Sequence, residues 1–383
     1  MKHVHFLSQH RPGPRMGMGH YERLLMFHVL AEAQSGAHNG ESWKFSYTYA
    51  GRLDPNANQV KGDGAIDPRI EPVDALGWAT ERMQDWPFPV VKALMNSRFR
   101  RKGDFAPGVF HSLALSFPCP TNRPSIYTIH DLPPARFSDE GRLSKWRRDA
   151  MRAADLVLTP SEFAKRELME LLGLPLEKLR VIPYGLEHDR FNPNVLPASK
   201  PIREEFGVPG RYLIYAGGFS QRKNVPALLE AWKIAGPRLP DVNLLLVGPD
   251  GLKRLAQDSG AERVIAPGYA SRDVLPGLLK SATALVFPSI YEGFGMPPQE
   301  AMAMGVPVIG TKAGGAVPEV VGDAGVLAED GSPEAIALAI ETLLGDEALQ
   351  ARLREAGPKR AQTFSWPQHA REVLAIYDSL LKS

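Results

Sequence analysis

Short apolar runs alternate with helical patterns throughout the second half of the chain. Residues 212–216, 244–247 and 283–287 are almost wholly apolar, and each run is followed by a loop and then by a helical pattern. Shorter runs at 306–309 and 325–328 repeat this order. Apolar strands that alternate with helices are typical of a parallel sheet covered on both faces. The pattern therefore predicts an α/β domain in this half.

The first half shows the same alternation less regularly. Strands are predicted at 4–8, 125–129 and 155–159, and helices at 20–33 and from Ser161 onward. In such sheets, ligands bind at the carboxyl ends of the strands. The catalytic and ligand-binding residues are therefore expected in the loops that follow each strand.

Domain boundaries follow from these patterns. The segment 191–203 contains several prolines and asparagines and is interpreted as a linker. We predict two Rossmann-like βαβ domains that face each other across a cleft, at 1–195 and 196–365, followed by an amphipathic helix at 366–383. The polar stretch between about 36 and 75 gives no clear prediction.

Composition limits the classes of protein to which the chain can belong. The 383 residues carry a formal net charge of +2 and a single cysteine, Cys119. One cysteine excludes an intrachain disulfide and a four-cysteine metal site. The first residues are too polar for a signal peptide, and no run reaches the roughly 18 apolar residues of a membrane span. We expect a cytoplasmic protein.

The loop and helix at 288–305 hold the densest set of chemical features. Gly293 and Gly295 let the backbone approach a ligand closely, and the prolines that follow suit a first helical turn. A helix N-terminus is an anion site, whereas the carboxylates of Glu292 and Glu300 can accept hydrogen bonds from hydroxyl groups. The combination suits a sugar nucleotide, which carries both phosphates and sugar hydroxyls.

Two other interpretations of this segment stay open from the residues alone. It can be a plain strand–loop–helix connection in which Glu300 only complements the helix dipole. It can also hold a glycosidase carboxylate pair, which needs carboxyl groups about 5.5 Å or about 6.5–9.5 Å apart. Spacing along the chain sets no such distance, and the glycosidase interpretation leaves the phosphate-binding features unused.

The segment Glu-Gly-Phe-Gly-Met-Pro-Pro-Gln-Glu-Ala-Met-Ala, with Glu292 and Glu300 eight residues apart, is similar to the paired-glutamate motif of retaining family 4 glycosyltransferases of the GT-B fold. The resemblance covers most of 125–345 and includes the segments 128–131, 160–163, 182–185, 215–218, 222–224, 247–249, 306–309 and 314–319.

The resemblance implies a fold and an activity. The fold has an acceptor-side first domain, a nucleotide-sugar-binding second domain, and a C-terminal helix that crosses back to the first. The activity is transfer of a hexose from a nucleoside-diphosphate sugar to an acceptor hydroxyl in glycan, polysaccharide or glycolipid synthesis, with retained anomeric configuration. GDP-mannose is the favoured donor and a UDP-sugar the next. No cofactor is expected beyond this donor substrate, and no Asp-x-Asp motif demands a metal.

The resemblance also implies residue roles. Among the catalytic residues, His130 lies beneath the anomeric carbon, Lys223 holds the diphosphate and Glu292 contacts the transferred sugar. Glu300 binds the ribose hydroxyls. The other donor-binding residues are Gly17, Gly19, Gly218, Arg222, Tyr269, Gly293, Phe294, Gly295 and Met296.

One departure from the family pattern affects the phosphate site. Members often carry arginine at the position of Gly218, paired with the lysine five residues on. Here Lys223 matches and Arg222 stands beside it. Either the site has one cation fewer, or Arg222 reaches in instead.

Smaller signals favour other classes less well. The segment around Gly17 and Gly19 resembles a dinucleotide fingerprint without its third glycine, which argues against a nicotinamide enzyme. His130 can be a simple strand terminus. The rival functions are a non-catalytic sugar-nucleotide-binding protein and a GT-B-like epimerase or phosphorylase.

Basic residues concentrate in the first half. Residues 1–200 carry 27 Lys and Arg against 22 Asp and Glu, with clusters at 98–102 and 145–152. These clusters are a solvated surface or a contact with an anionic membrane or a lipid-linked acceptor. Nucleic acid is disfavoured because no base-stacking motif accompanies the charge. Peripheral contact at the inner membrane face is therefore the expected alternative to a free cytoplasmic protein.

Overall fold

The computed structural model describes residues 2–8, 18–35, 42–49, 71–72, 108–113 and 124–382. The chain divides into two compact units, each built from separate stretches of sequence. The N-unit comprises Met1–Ala135, Arg142–Gly185 and Ser365–Ser383. The C-unit comprises Arg136–Gly141 and Leu186–Phe364.

The N-unit contains a parallel sheet of seven described strands in the order β3-β2-β1-β4-β5-β6-β7. The strands are β1 Lys2–Ser8, β2 Trp43–Tyr49, β3 Glu71–Pro72, β4 Gly108–Ser112, β5 Ser125–Thr128, β6 Leu156–Thr159 and β7 Leu179–Val181. Its described helices are α1 Met18–Gln34, α2 Lys145–Ala153, α3 Glu162–Leu172 and α12 Trp366–Lys382. The strands predicted from the first half are thereby confirmed.

Local sequence signals set the ends of α3. The Ser161 hydroxyl accepts a hydrogen bond from the Ala164 N–H at 3.0 Å and so caps the first turn. Gly173 ends the helix with φ 63°, and its N–H donates to the Met169 carbonyl at 3.0 Å. The helix therefore begins where the sequence pattern predicts it.

Helix α12 packs against α1 within the N-unit. The ring of Trp366 lies 5.7 Å from that of Tyr21, and the Tyr21 hydroxyl is 3.3 Å from Nε2 of His369. Gly185 lets Trp366 approach the backbone, because a β-carbon at that position would collide with the indole ring. The last helix of the sequence is thus part of the first unit's core.

The C-unit contains a parallel sheet of six strands in the order β10-β9-β8-β11-β12-β13. The strands are β8 Arg211–Ala216, β9 Val242–Val247, β10 Val264–Gly268, β11 Ala284–Val286, β12 Val308–Thr311 and β13 Val326–Ala328. The helices are α4 Lys200–Glu205, α5 Val225–Ala235, α6 Gly251–Ser259, α7 Leu275–Ser281, α8 Met296–Ala303, α9 Val317–Val321, α10 Pro333–Gly345 and α11 Glu347–Ala361.

The apolar runs of the second half form the central strands of this sheet. Leu213, Leu244 and Val286 are completely buried, as expected for strands covered on both faces. Helices α5 and α10 contribute Trp232 and Ile340 to the same core. The predicted α/β domain with a parallel sheet is confirmed.

Candidate active site

The candidate site of the C-unit lies where the strand order reverses. The chain fills one side of the sheet with β8, β9 and β10 and the other with β11, β12 and β13, so β8 and β11 are neighbours. Open α/β sheets bind ligands at the carboxyl edge beside such a reversal. The loops that diverge there are 217–224 and 287–295, which contain the predicted residues Lys223 and Glu292.

Hydrogen bonds tie these two loops together. The Ile290 N–H donates to the Arg222 carbonyl at 2.9 Å. The Asn224 side chain donates to the carbonyls of Pro288 at 3.2 Å and Gly331 at 2.8 Å. Asn224 has φ 56°, a left-handed conformation in which asparagine is enriched. The loops are therefore held in a fixed relation, as a preorganised site requires.

Glu292 lies between the two cations predicted for phosphate binding. Lys223 Nζ donates to its Oε1 at 2.7 Å, and Arg222 Nη1 donates to its Oε2 at 2.9 Å. Burial by itself would raise the pKa of Glu292, but the charges of Lys223 and Arg222 outweigh it and lower that pKa overall. Glu292 is therefore a carboxylate at neutral pH, and the structure brings all three predicted side chains together.

The start of α8 offers fewer N–H donors than an ordinary helix end. Gly295 precedes the helix with φ 116°, a conformation that side chains rarely adopt, and Met296 is the first helical residue. Pro297 and Pro298 follow and carry no N–H group. An anion at this end would thus meet the helix dipole and the N–H groups up to Met296, but none from the two prolines.

Glu300 lies in the first half of α8 in an acidic setting. Loss of solvent around its carboxyl group and the negative charge of Glu187 raise the pKa of Glu300 to about 8, and Arg272 and Arg190 offset this only in part. Glu187 is itself held by Arg272, whose Nη2 donates to it at 2.6 Å. The environment of Glu300 therefore favours the protonated form of its carboxyl group before any ligand binds.

The remaining predicted residues of the C-unit lie on the loops after β8, β10 and β11. Space beside the α-carbon of Gly218 is open, since no described atom lies within 4 Å of a β-carbon built there. Tyr269 follows β10 and is 64% exposed, which leaves its ring accessible. Gly293 and Phe294 are buried, and the Phe294 ring packs 5.6 Å from that of Phe364.

The predicted residues of the N-unit have a different environment. His130 follows β5 and is buried; its Nδ1 contacts the Tyr184 hydroxyl, and its Nε2 is 3.3 Å from the Leu113 carbonyl. Because a carbonyl only accepts, Nε2 carries the proton and Nδ1 accepts from tyrosine. Gly19 is buried in the first turn of α1, and Gly17 lies outside the described residues.

The C-unit also contains a contact that the sequence analysis missed. In the segment 136–141, Oε1 of Glu140 accepts a hydrogen bond from Arg222 Nε at 2.7 Å. Oδ2 of Asp139 accepts from the Gln221 N–H at 2.7 Å. The Phe137 ring packs edge-on to that of Tyr291 at 5.5 Å. Glu140 and Arg222 are 82 residues apart, so no local pattern could have indicated the pair.

Two family models match the chain in succession. The model described as Glycosyltransferase Family 4 matches residues 86–190, and the one described as Glycosyl transferases group 1 matches residues 200–360. The chain is a member of glycosyltransferase family 4. The second model spans α8 and both loops of the candidate site, 217–224 and 287–295.

Several known proteins resemble the chain over most of its length. O-antigen chain mannosyltransferase B of Escherichia coli is 29% identical over 294 residues, which cover 72% of this chain and 76% of that protein. Sucrose-phosphate synthase of Thermosynechococcus elongatus has a TM-score of 0.74 at 22% identity and matches all of both chains. HepE of Anabaena in complex with UDP and glucose has a TM-score of 0.71 at 18% identity, covering 99% and 100% of the two chains. The glycosyltransferase therefore has the GT-B fold, as predicted.

Among the described residues, no group of three or more His, Cys, Asp or Glu side chains is arranged to hold a metal ion. None of the described helices combines the length and the apolar character needed to span a bilayer.

Proposed function

We propose that this glycosyltransferase moves a hexose from a nucleoside-diphosphate sugar to an acceptor hydroxyl, with retention of the anomeric configuration. The observation that carries the proposal is the cluster of Lys223, Arg222 and Glu292 beside the strand reversal of the C-unit. A diphosphate needs cations, and a sugar needs a hydrogen-bond acceptor; this cluster supplies both on two loops fixed to each other.

The proposed chemistry uses charge stabilisation rather than a nucleophile on the protein. As the bond from the anomeric carbon to the diphosphate breaks, positive charge grows on the sugar and negative charge on the leaving oxygen. Lys223 and Arg222 stabilise the leaving diphosphate, and the α8 dipole adds to this at Met296. The leaving phosphate takes the proton of the acceptor hydroxyl, so the acceptor attacks from the face that the diphosphate leaves.

Glu292 has a second part in this proposal. In the free protein it pairs with both of these half-buried cations, and Arg222 is also held by Glu140. When the diphosphate binds, it competes for those cations, and the Glu292 carboxylate becomes available to the hydroxyls of the transferred sugar. Glu300 accepts hydrogen bonds from the ribose, and Tyr269 stacks on the base. The role of His130 remains a prediction.

The donor and the acceptor are inferred from relatives. The Escherichia coli relative is an O-antigen chain mannosyltransferase, which supports GDP-mannose as donor and a growing glycan or glycolipid as acceptor. The structure of HepE with UDP and glucose keeps a UDP-sugar as the second candidate. We further propose that transfer requires no divalent metal, because the two cations can neutralise the diphosphate.

A donor screen tests the proposal. The protein is incubated with GDP-mannose, UDP-glucose and UDP-N-acetylglucosamine, and thermal stabilisation and nucleotide release are followed. We expect the largest stabilisation and the fastest release with GDP-mannose, and an α-linked product by NMR after transfer to a glycolipid extract. Binding without release would indicate a non-catalytic protein. An isomerised sugar nucleotide would indicate an epimerase, and a requirement for inorganic phosphate a phosphorylase.

A further inference from the structure

The segment 136–141 is an unusual part of the C-unit. It lies between β5 and α2 along the sequence, and both of these elements belong to the N-unit. Its short helical turn Ser138–Glu140 brings Asp139 and Glu140 into contact with the loop 217–224, which carries Arg222 and Lys223. The Phe137 ring meanwhile packs on Tyr291, which precedes Glu292. The segment thus contacts both loops of the candidate site.

Arg222 is held from two sides as a result. Its Nε donates to Glu140 at 2.7 Å, and its Nη1 donates to Glu292 at 2.9 Å and to the Tyr291 carbonyl at 3.2 Å. A guanidinium group prefers to face one carboxylate with two parallel N–H groups. Because Glu140 engages the Nε edge, this edge is not available to form such a fork with Glu292. The plane of the guanidinium group is fixed by contacts at both ends.

This arrangement is relevant to the position of Gly218, where members of the family often carry an arginine. The loop after β8 carries Arg222 next to Lys223 in the short turn 221–223, and Glu140 holds the Arg222 Nε–H from outside that loop. We propose that Glu140 is a positioning residue that orients Arg222 as the second cation for the β-phosphate of the donor. The proposal rests on the proposed function, because it assumes that a diphosphate binds at Lys223.

The opposite role for Glu140 makes a different prediction. A carboxylate that merely neutralised Arg222 would compete with the phosphate, and its removal would tighten binding. Glu140→Gln and Glu140→Ala separate the two roles, because glutamine removes the charge but keeps an oxygen acceptor for Nε–H. Alanine removes both. The measured quantity is the ratio of GMP to GDP dissociation constants by calorimetry, with UMP and UDP as the parallel pair.

We expect Glu140→Ala to lower this ratio about fivefold or more. The loss of a full charge-assisted hydrogen bond would lower it roughly tenfold or more, and a misoriented Arg222 should lose only part of that. Glu140→Gln should keep the ratio or raise it. The same substitution to alanine in an Arg222→Ala background should change it less than about twofold, because coupled residues are not additive. Asp139→Asn is the matched control, since it retains an acceptor for the Gln221 N–H and leaves the ratio unchanged.

The outcomes that overturn the proposal are distinct. If both Glu140 variants tighten GDP binding, or if neither changes the ratio, Glu140 does not position Arg222. If Lys223→Ala lowers the ratio and Glu140→Ala does not, only the positioning role is wrong. If Lys223→Ala itself leaves the ratio unchanged, the diphosphate site and the proposed function fail together. Thermal melting of each variant shows that it is folded before binding is measured.

Discussion

The two sheets differ in where they keep their titratable side chains. In the N-unit, His5, His111 and His369 lie inside the core and are bonded to hydroxyl and carbonyl groups. The core of the C-unit is dominated by aliphatic and aromatic side chains, and its charged cluster lies in the loops beyond the strands. Two sheets of similar construction therefore place their titratable groups differently, one inside the core and the other in the loops beyond the strands.

The histidine contacts explain how polar rings are accommodated in the N-unit. His111 Nδ1 lies 2.5 Å from the Tyr377 hydroxyl, and its Nε2 lies 2.8 Å from Thr128 Oγ1. Burial is the main cause that lowers the pKa of both His5 and His111 to about 3 and that of His369 to about 4. The neutral rings contact neutral hydroxyl and carbonyl groups, and burial makes the charged form of each ring costly.

Acidification should therefore produce the largest difference in stability between the two units. Below the ordinary histidine pKa of about 6.5 the unfolded chain takes up protons that the folded N-unit refuses, so stability is lost as the pH falls from about 6.5 to about 4. The free energy of unfolding of the N-unit should therefore decrease over that window. Amide hydrogen exchange at pH 7 and pH 5 should show the N-unit opening first.

Exchange in the two units of one sample can be compared directly, which removes the intrinsic effect of pH on exchange. His111→Gln should flatten the pH dependence of the N-unit, since a buried ring with a lowered pKa is removed. If the C-unit opened before the N-unit on acidification, the core of the N-unit would not be the acid-labile one.

Lys223→Ala tests the C-unit cluster with the next largest effect. Removing a preorganised group that stabilises the leaving diphosphate should reduce turnover of the nucleotide sugar by about 10²–10³. Initial rates of nucleotide release give the measurement. Lys233→Ala is the control, since Lys233 pairs with Glu230 on the exposed face of α5. A loss of less than about threefold at Lys223 would rule out its proposed role.

Glu300→Ala should act on binding more than on turnover. Hydrogen bonds that involve a charged group are worth about 1.5–3 kcal/mol each, so GDP should bind about 10- to 150-fold more weakly by calorimetry. Glu334→Ala provides the control, because Glu334 is an exposed residue in the first turn of α10. Unchanged nucleotide affinity in Glu300→Ala would mean that the ribose is bound elsewhere.

A smaller effect concerns the protonation of Glu300. If its carboxylate form accepts the ribose hydroxyls, binding must release the proton that the raised pKa of about 8 retains. GDP affinity should then rise as the pH increases, by up to about tenfold per unit below pH 8, and level off above it. Calorimetry in two buffers of different ionisation enthalpy measures the released proton. Glu300→Gln should abolish this pH dependence. An affinity that fell above pH 8 would contradict the predicted dependence on pH.

The smallest expected effect is that of metal removal. Because Lys223 and Arg222 can balance the charge of the diphosphate, EDTA should change the transfer rate by less than about twofold. A loss that added Mg²⁺ restored would show that the two cations are insufficient.

Sequence patterns predicted the elements better than the contacts between them. The apolar runs identified the central strands of the C-unit because strands buried on both faces need apolar residues at every position. Lys223 and Glu292 were assigned to one site by resemblance, and their side chains meet at 2.7 Å. Pro297 and Pro298 were assigned to a first helical turn, but the anion site predicted there did not account for the N–H groups that these prolines lack.

Other features had no readable signal. Histidine is ordinarily a polar residue, so His5 and His111 gave no sign that they would be buried among hydroxyl partners. The contact of Glu140 with Arg222 joins residues that only the folded chain brings together. The stretch between 36 and 75 was left without a prediction, although Trp43–Tyr49 alternates apolar and polar residues and forms β2. Most of the rest of this stretch lies outside the described residues.

The discontinuous N-unit has a consequence for biosynthesis. Its sheet strands leave the ribosome before residues 186–364, yet α12, which supplies Trp366, His369 and Tyr377 to its core, is made after them. Domains usually fold in the order of synthesis. Here the unit that is begun first can be completed only after the other has been made, so the nascent N-unit exposes an apolar face for the time needed to translate the whole C-unit.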